Sequence, residues 1–350
     1  MPVRPCFAMV QRVDTLDDIV TSTAAEHDFS GAVRVDDGDE AHEWAFGLAD
    51  RTHAVDNRPD TRFGLASGTK GFTALAVMSL IESGELALDQ PVRTVLGDDL
   101  PKIDDRVTIE HLLAHRSGIG DYLDESELTD INDYVMPVPV HQLSGTDRYL
   151  PALEGHPQVF TPGERFAYNN SGFVVLALIA QRASGTRFEH LIAERVCTPA
   201  GLTNTGFLRS DELPPGVAIG YLSADGLRTN VFHLPVLGSG DGGILSTVAD
   251  MHRFWSGLFD GRIVSRESAA RMTAPHSDVP DEHQRYGLGF WLAETGSVVS
   301  LEGCDAGVSF RSVCDPTTGL THSVLSNTSS GAWPMTKALD AALGPRAECA

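Results

Sequence analysis

Residues 70–83 read KGFTALAVMSLIES, apolar almost all the way round a helix. A helix without a polar face is covered on most sides by other elements. This one stretch therefore demands a large body around it. Gly84 follows at the position of a C-terminal cap. A second strongly apolar helix, FVVLALIAQRASG, ends the same way at Gly185. No apolar run reaches the ~18 residues of a membrane span, which argues against an integral membrane protein. The chain has 350 residues, 42% of them hydrophobic. That is enough for one large domain or two lobes, and it excludes disordered, collagenous and coiled-coil classes.

The rest of the chain arranges itself around these helices. DTLDDIVTSTAAEHDF carries Leu16, Ile19 and Val20 at helical spacing. SGAVRVDD and EWAFGLAD read as a hairpin across an acidic turn. IEHLLAHRSG reads as a helix stopped at Gly118, and residues 119–165 as long surface loops with short helices. From about residue 240 a helix (GGILSTVADMHRFWSGLF) leads into short segments broken by Gly or Pro: YGLGFWLA, SVVSLEG, VSFRSVCDP and LTHSVLSN. These suit an antiparallel sheet. A closing helix, PMTKALDAAL, has Pro334 in its first turn. Strands at both ends with helices between imply a single unit over 1–350. Its sheet lobe takes about 1–64 and 240–350, and its helical lobe about 65–239.

Acidic residues outnumber basic ones, 48 to 26, for a formal net charge of -22. That disfavours the polyanionic partners, nucleic acid and anionic membrane. Only Lys70, Lys102 and Lys337 are lysines. The five cysteines have no zinc-site or redox spacing. The opening MPVRPCFAMVQRV lacks the apolar core of a secretory signal. A cytoplasmic protein with free thiols is expected, although Cys304 and Cys314 are spaced to face each other across a hairpin.

Three segments have the makings of a catalytic site. Ser67-Gly68-Thr69-Lys70 stands where a loop enters the buried helix, with Ser and Lys one turn apart on one face. A Lys among apolar residues (Phe72, Leu75) loses basicity and can serve as the base a serine nucleophile needs. The plainer reading is an exposed Lys beside a capping Ser. Tyr168-Asn169-Asn170 precedes the second apolar helix. A Tyr hydroxyl can relay a proton and an Asn can orient a Lys and a substrate amide. Equally, Asn170 or Ser171 can be the helix cap. Leu301-Glu302-Gly303-Cys304-Asp305-Ala306-Gly307 reads as an edge strand and turn whose glycines allow close backbone approach, or as an ordinary strand-turn. His111 and His115 have zinc-pair spacing without the intervening Glu, so His115 reads as structural. There is no G-x-S-x-G elbow, P-loop or dinucleotide fingerprint.

Taken in order, these segments resemble the serine β-lactamase-like hydrolases, the class C β-lactamase, DD-peptidase and esterase group. The likeness runs from about Ser30 to Leu325. It includes FGLASGTKGFTALAVMSLIESGELALDQPV, VTIEHLLAHRSGIGDY, FTPGERFAYNNSGFVVLALIAQRASG, CTPAGLTNTGF, GDGGILSTVADMHRF and YGLGFWL. The resemblance implies an α/β (α+β) fold of the β-lactamase/transpeptidase type. It would have a mostly antiparallel sheet of the five-stranded type flanked by helices, and a helical lobe. It implies Ser67 as the acylated nucleophile, Lys70 and Tyr168 as a proton-transferring pair, and Asn170 as the residue orienting Lys70 and substrate. The oxyanion hole would be the amides of Ser67 and Cys304, after Gly303. No metal or organic cofactor is implied.

One departure stands out. Where relatives carry a cation that binds a substrate carboxylate, this chain has Leu301 or, shifted by one, Glu302. Arg311 on the next strand is one substitute, and Glu302 or Asp241 would suit an amine-bearing substrate instead. The expected activity is hydrolysis of an ester or amide of an intracellular small molecule. The alternatives are an acyl transferase, a D-aminopeptidase or DD-carboxypeptidase, a β-lactamase, and a non-catalytic ligand-binding or sensor homologue. The expected partner is a small-molecule ester, amide or peptide, with no nucleic acid or membrane.

Overall fold

The computed structural model describes residues 15–344 except 39, 126 and 127. The opening segment and Cys6 and Cys349 lie outside the described residues.

The two ends of the chain build one sheet. Its strands are β1 (Gly31–Asp37), β2 (Glu40–Phe46), β3 (Ser277–Val279), β4 (Gln284–Tyr286), β5 (Trp291–Ala293), β6 (Val299–Asp305), β7 (Val308–Cys314) and β8 (Thr321–Ser326). The order is β2-β1-β8-β7-β6-β5-β4-β3, and every neighbouring pair is antiparallel. The sheet thus has eight strands where five were expected. Five are long, and β3 to β5 are three residues each. Pro280 starts a helical turn after β3, and Gly289, with φ of +87°, turns the chain between β4 and β5. Those breaks divide what would otherwise be one longer hairpin.

Side chains alternate across the pleat, so each strand serves two cores. Val33, Val35 and Val324 meet Val20 of α1 (Leu16–Glu26) and Met335 and Leu339 of α5 (Ala332–Leu343). Ala32, Leu301, Phe310 and Leu325 face the larger core, built with α2 (Thr69–Glu82), α3 (Asn170–Ser184) and α4 (Val248–Phe259). Every residue of α2 from Thr69 to Leu80 is buried, as its lack of a polar face requires. Gly185 closes α3 in the left-handed conformation, the backbone that a residue without Cβ adopts without strain.

Three expectations change. The helix at 109–118 spans only Ile109–Leu113, because His115 takes a positive φ of 53° and turns the chain early. The 119–165 segment is not all surface: Leu143, Thr146 and Tyr149 are buried. Cys304 and Cys314 do not face each other, since the register sets them opposite Ser309 and Val299. Cys197, Cys304 and Cys314 are free thiols.

Candidate active site

Leu65 to Gly68 form a short turn that leads into α2. Ala66, just before Ser67, has a positive φ of 43°, strained for a residue with a Cβ. Lys70 is 2% exposed at the first turn of α2. Its Nζ reaches Ser67 Oγ at 2.8 Å, Asn170 Oδ1 at 2.7 Å and the Asp241 carbonyl at 3.1 Å. Three partners match the three directions of an amine. Burial pushes Lys70 below the ordinary lysine range, opposed by the charges of Asp241, Glu125, Asp121 and Asp305. An amine so weakened and so placed can take the proton of Ser67.

Asn169, not Asn170 or Ser171, caps α3: its side chain accepts from the Gly172 amide at 2.7 Å. Asp121 accepts the next two amides, Asn170 and Ser171, at 2.7 and 2.8 Å. With the helix end satisfied from outside, the Asn170 side chain is free to serve Lys70. Its own amide donates to Leu123 O and Glu125 Oε1, both at 3.0 Å. Asn170 therefore accepts from Lys70 with its oxygen, while its nitrogen is held by the neighbouring loop.

The Tyr168 ring lies 4.8 Å from Lys70 Nζ. Burial, then the Glu125 charge, raises the Tyr168 hydroxyl well above its usual range, and a hydrogen bond with Ser67 works the other way. His115 and Trp291 hold the ring in place, at centroid distances of 4.4 and 6.0 Å. His115 is 1% exposed and its Nδ1 accepts the Asn169 amide at 3.1 Å. Burial, helped by the Lys70 charge, drops its pKa well below the usual value. A neutral, packed ring is the structural role expected of it.

The third segment is β6. It is an inner strand, yet β5 pairs only with Val299 and Ser300. From Leu301 to Asp305 the side away from β7 has no strand, so the edge character survives at that end. Ala293 donates to Val298 O across the β5–β6 turn. The alternation of an antiparallel ladder then turns the Glu302 and Cys304 amides toward the open side. The Ser67 turn packs over the Gly303 end of this stretch. A Cβ on Gly303 would lie 2.1 Å from Leu65 O and 2.8 Å from the Ser67 nitrogen, so only glycine allows the seam to close. No turn or loop hydrogen bond among the described residues uses the Ser67 or Cys304 amide.

The alternation also settles the missing cation. Leu301 packs against α2, where its side chain is the nearest neighbour a Cβ on Gly71 would meet, at 2.7 Å. Glu302 points to the opposite face and pairs with Arg311 Nε at 2.9 Å, and Arg311 also pairs with Asp340 of α5. Neither Arg311 nor Glu302 reaches the site, so neither stands in for the cation or receives an amine there.

Ser67, Asn170 and Cys304 open onto a cavity of about 380 Å³, with Lys70, Tyr168 and Gly303 behind them. Apolar side chains form much of its wall, among them Phe63, Met136, Leu208, Val217 and Leu234. Asp241, offered by the sequence as a partner for an amine-bearing substrate, is 7% exposed and lines the cavity. Its carboxylate accepts the Tyr122 hydroxyl. Burial raises Asp241, and the Lys70 charge opposes it. Tyr122, Glu125 and Tyr149 were not among the sequence candidates. Their segment lacks periodicity, and only folding brings it over the Ser67 turn. Among the described residues no helix is long and apolar enough to cross a membrane.

Comparison with known proteins returns one family. The family model described as "Beta-lactamase" matches residues 16–344. The chain is 28% identical over 312 residues to penicillin-binding protein 4* of Bacillus subtilis, covering 82% of this chain and 66% of the relative. It is 33% identical over 223 residues to esterase EstB of Burkholderia gladioli, covering 59% of this chain and 54% of that protein. The chain thus spans less than two thirds of both curated relatives. A solved penicillin-binding protein from Bacillus halodurans superposes with a TM-score of 0.86 at 34% identity, over 92% of this chain and 99% of that one.

Proposed function

The chain belongs to the beta-lactamase family of serine hydrolases, and from that premise we propose that it cleaves an ester or amide of a small molecule through an acyl-enzyme on Ser67. The observation that carries the reading is the buried Lys70 amine, 2.8 Å from Ser67 Oγ and held there by Asn170 and the Asp241 carbonyl.

Ser67 Oγ attacks the carbonyl carbon while its proton passes to the Lys70–Tyr168 pair, whose titrations are coupled. The carbonyl π pair moves to oxygen, where the Ser67 and Cys304 amides receive it. A donor of this kind is worth roughly 3–4 kcal/mol in comparable sites. The pair returns the proton to the leaving oxygen or nitrogen as the carbonyl re-forms and that bond breaks. Water then repeats the sequence on the acyl-enzyme, releasing the acid and restoring Ser67.

Leu301 at the position expected for a cation argues against β-lactams and D-Ala-D-Ala termini, whose carboxylate would meet no positive partner there. The apolar wall favours a substrate with a sizeable apolar group. A cytoplasmic setting fits the free thiols at Cys197, Cys304 and Cys314.

Intact-mass measurement after a small fluorophosphonate tests the reading. One adduct on the wild type and none on Ser67→Ala is the expected result. A folded wild type that takes no adduct would overturn it and favour the non-catalytic, ligand-binding alternative.

A further inference from the structure

Among the charged side chains lining the cavity, Glu125, Asp241 and Asp305 are carboxylates, and among the described residues no Lys or Arg lines it. Lys70 stands behind Ser67 with its three directions occupied. Two of the carboxylates have work of their own. Asp241 receives the Tyr122 hydroxyl, and Glu125 receives the Asn170 amide at 3.0 Å. Asp305 differs. Its Oδ1 takes the Ala306 amide within its own turn at 2.9 Å, and no other side chain is hydrogen-bonded to its carboxylate among the described residues.

The turn that carries Asp305 is held from both sides. Asn230 donates to Ala306 O at 2.9 Å, and the Gly307 amide donates to Ser329 Oγ at 2.8 Å. Asp305 follows Cys304 directly and shares the cavity face of β6 with Leu301 and Gly303. A carboxylate held by no other side chain therefore lines the cavity next to the proposed oxyanion amide, in a wall whose larger part is apolar. An anionic substrate would be repelled there, and a neutral one would leave the carboxylate facing apolar surface without a partner. A substrate bearing an ammonium would satisfy it.

We propose that the preferred substrates carry an apolar group and a protonated amine, and that Asp305 is the specificity-determining residue that receives the amine. This rests on the acyl-enzyme reading above. The scissile bond and the transfers of electrons and protons are those already given; the amine remains protonated throughout and takes no part in the chemistry.

The test compares p-nitrophenyl esters and p-nitroanilides of both enantiomers of phenylalanine and leucine with their des-amino and N-succinyl counterparts. For the wild type, kcat/KM for the best ammonium substrate should exceed that of its des-amino match by roughly tenfold, the scale of one charge-assisted hydrogen bond. The N-succinyl form should be the poorest. In Asp305→Asn the ammonium-to-des-amino ratio should collapse toward one, mainly through KM, and Asp305→Glu should recover part of it. A flat or reversed ratio in the wild type overturns the inference, as does a ratio that survives Asp305→Asn. The wild-type ratio decides even where the variants fail to fold. Fluorophosphonate labelling separates the two claims. A flat ratio in an enzyme labelled on Ser67 overturns the amine inference alone, whereas no labelling removes the acyl-enzyme reading and this inference together.

Discussion

The two faces of β6 handle charge in opposite ways. On the α5 face, Glu302 and Asp340 share one guanidinium, that of Arg311, in a partly exposed ion-pair cluster. On the cavity face, Leu301, Gly303 and Asp305 bring no cation, and Lys70 stands close to four carboxylates without a direct ion pair to any of them. Consecutive residues of one strand thus supply an ion-pair cluster and part of the proposed site. The strand's pleat, not the residue type, separates charge that is satisfied from charge left available. If that contrast is right, substitutions on the cavity face change chemistry and those on the α5 face change only stability.

The largest effect is expected at the proposed nucleophile and its amine. Ser67→Ala should abolish labelling. Lys70→Met should slow acylation by a factor of ~10²–10⁴, the usual range for a positioned proton-transfer group, measured as the rate of fluorophosphonate adduct formation. Tyr168→Phe should lower turnover over the same ~10²–10⁴ range; a rate within about threefold of wild type would take Tyr168 out of the mechanism.

Gly303→Ala tests the seam itself. The new methyl group would meet Leu65 O and the Ser67 nitrogen, so the strand and the turn must part. Turnover should drop by ~10²–10³, the loss seen when one oxyanion donor is displaced. Wild-type kcat/KM in that variant would show that the two backbones need not touch.

A smaller effect concerns pH. Burial lifts the Asp305 carboxyl to about 7, reinforced by the Asp241 and Glu125 charges and opposed by the Ala306 amide and Lys70. Below that value the group is protonated and neutral, so it attracts no cation. KM for an ammonium substrate should therefore fall as pH rises toward about 7 and climb again once the substrate's own α-ammonium loses its proton at about 8; neither limb should appear for the des-amino substrate, and the acid limb should vanish in Asp305→Asn. An identical profile for both substrates would move the titration to another group. Folding shows the opposite sign. A raised carboxyl keeps its proton in the folded chain between about 4 and about 7, so its contribution to stability declines as pH rises across that window and is level above it.

The smallest effect is expected on the α5 face. Arg311→Met should shift stability by only ~0–1 kcal/mol, since its partners are partly solvated, and should leave kcat/KM within about twofold. A large loss of activity there would mean that the two faces are coupled through the strand.

Much of this was legible before folding was considered. The all-round apolarity of 70–83 required a central helix, and Ser67 and Lys70, three apart at its start, had to share a face. Tyr168 and Asn170 before a second buried helix, and the glycines at Gly303 and Gly307, offered candidates that also read as a cap and an ordinary strand-turn, and the ordered resemblance singled them out. What stayed hidden has a common cause. Asp121, Tyr122 and Glu125 lie in an aperiodic loop, and no local pattern says which surface such a loop will cover. Asp241 was named in the sequence without its place, because its position beside Lys70 comes from contacts far away in sequence.

Sequence alone determined the two buried helices and which residue types are available for the proposed nucleophile and base, because helix periodicity and the apolar composition of a buried face are short-range properties. Only the tertiary structure decided the sign of the pocket. Leu301 and Glu302 were equal candidates for the cation's position until pairing set the phase of β6. That phase sent Glu302 to α5, Leu301 onto Gly71 and Asp305 into the cavity. Register has a period of two, and a shift of one residue exchanges the faces. It is set by partners across the sheet, beyond the reach of the strand's own residues.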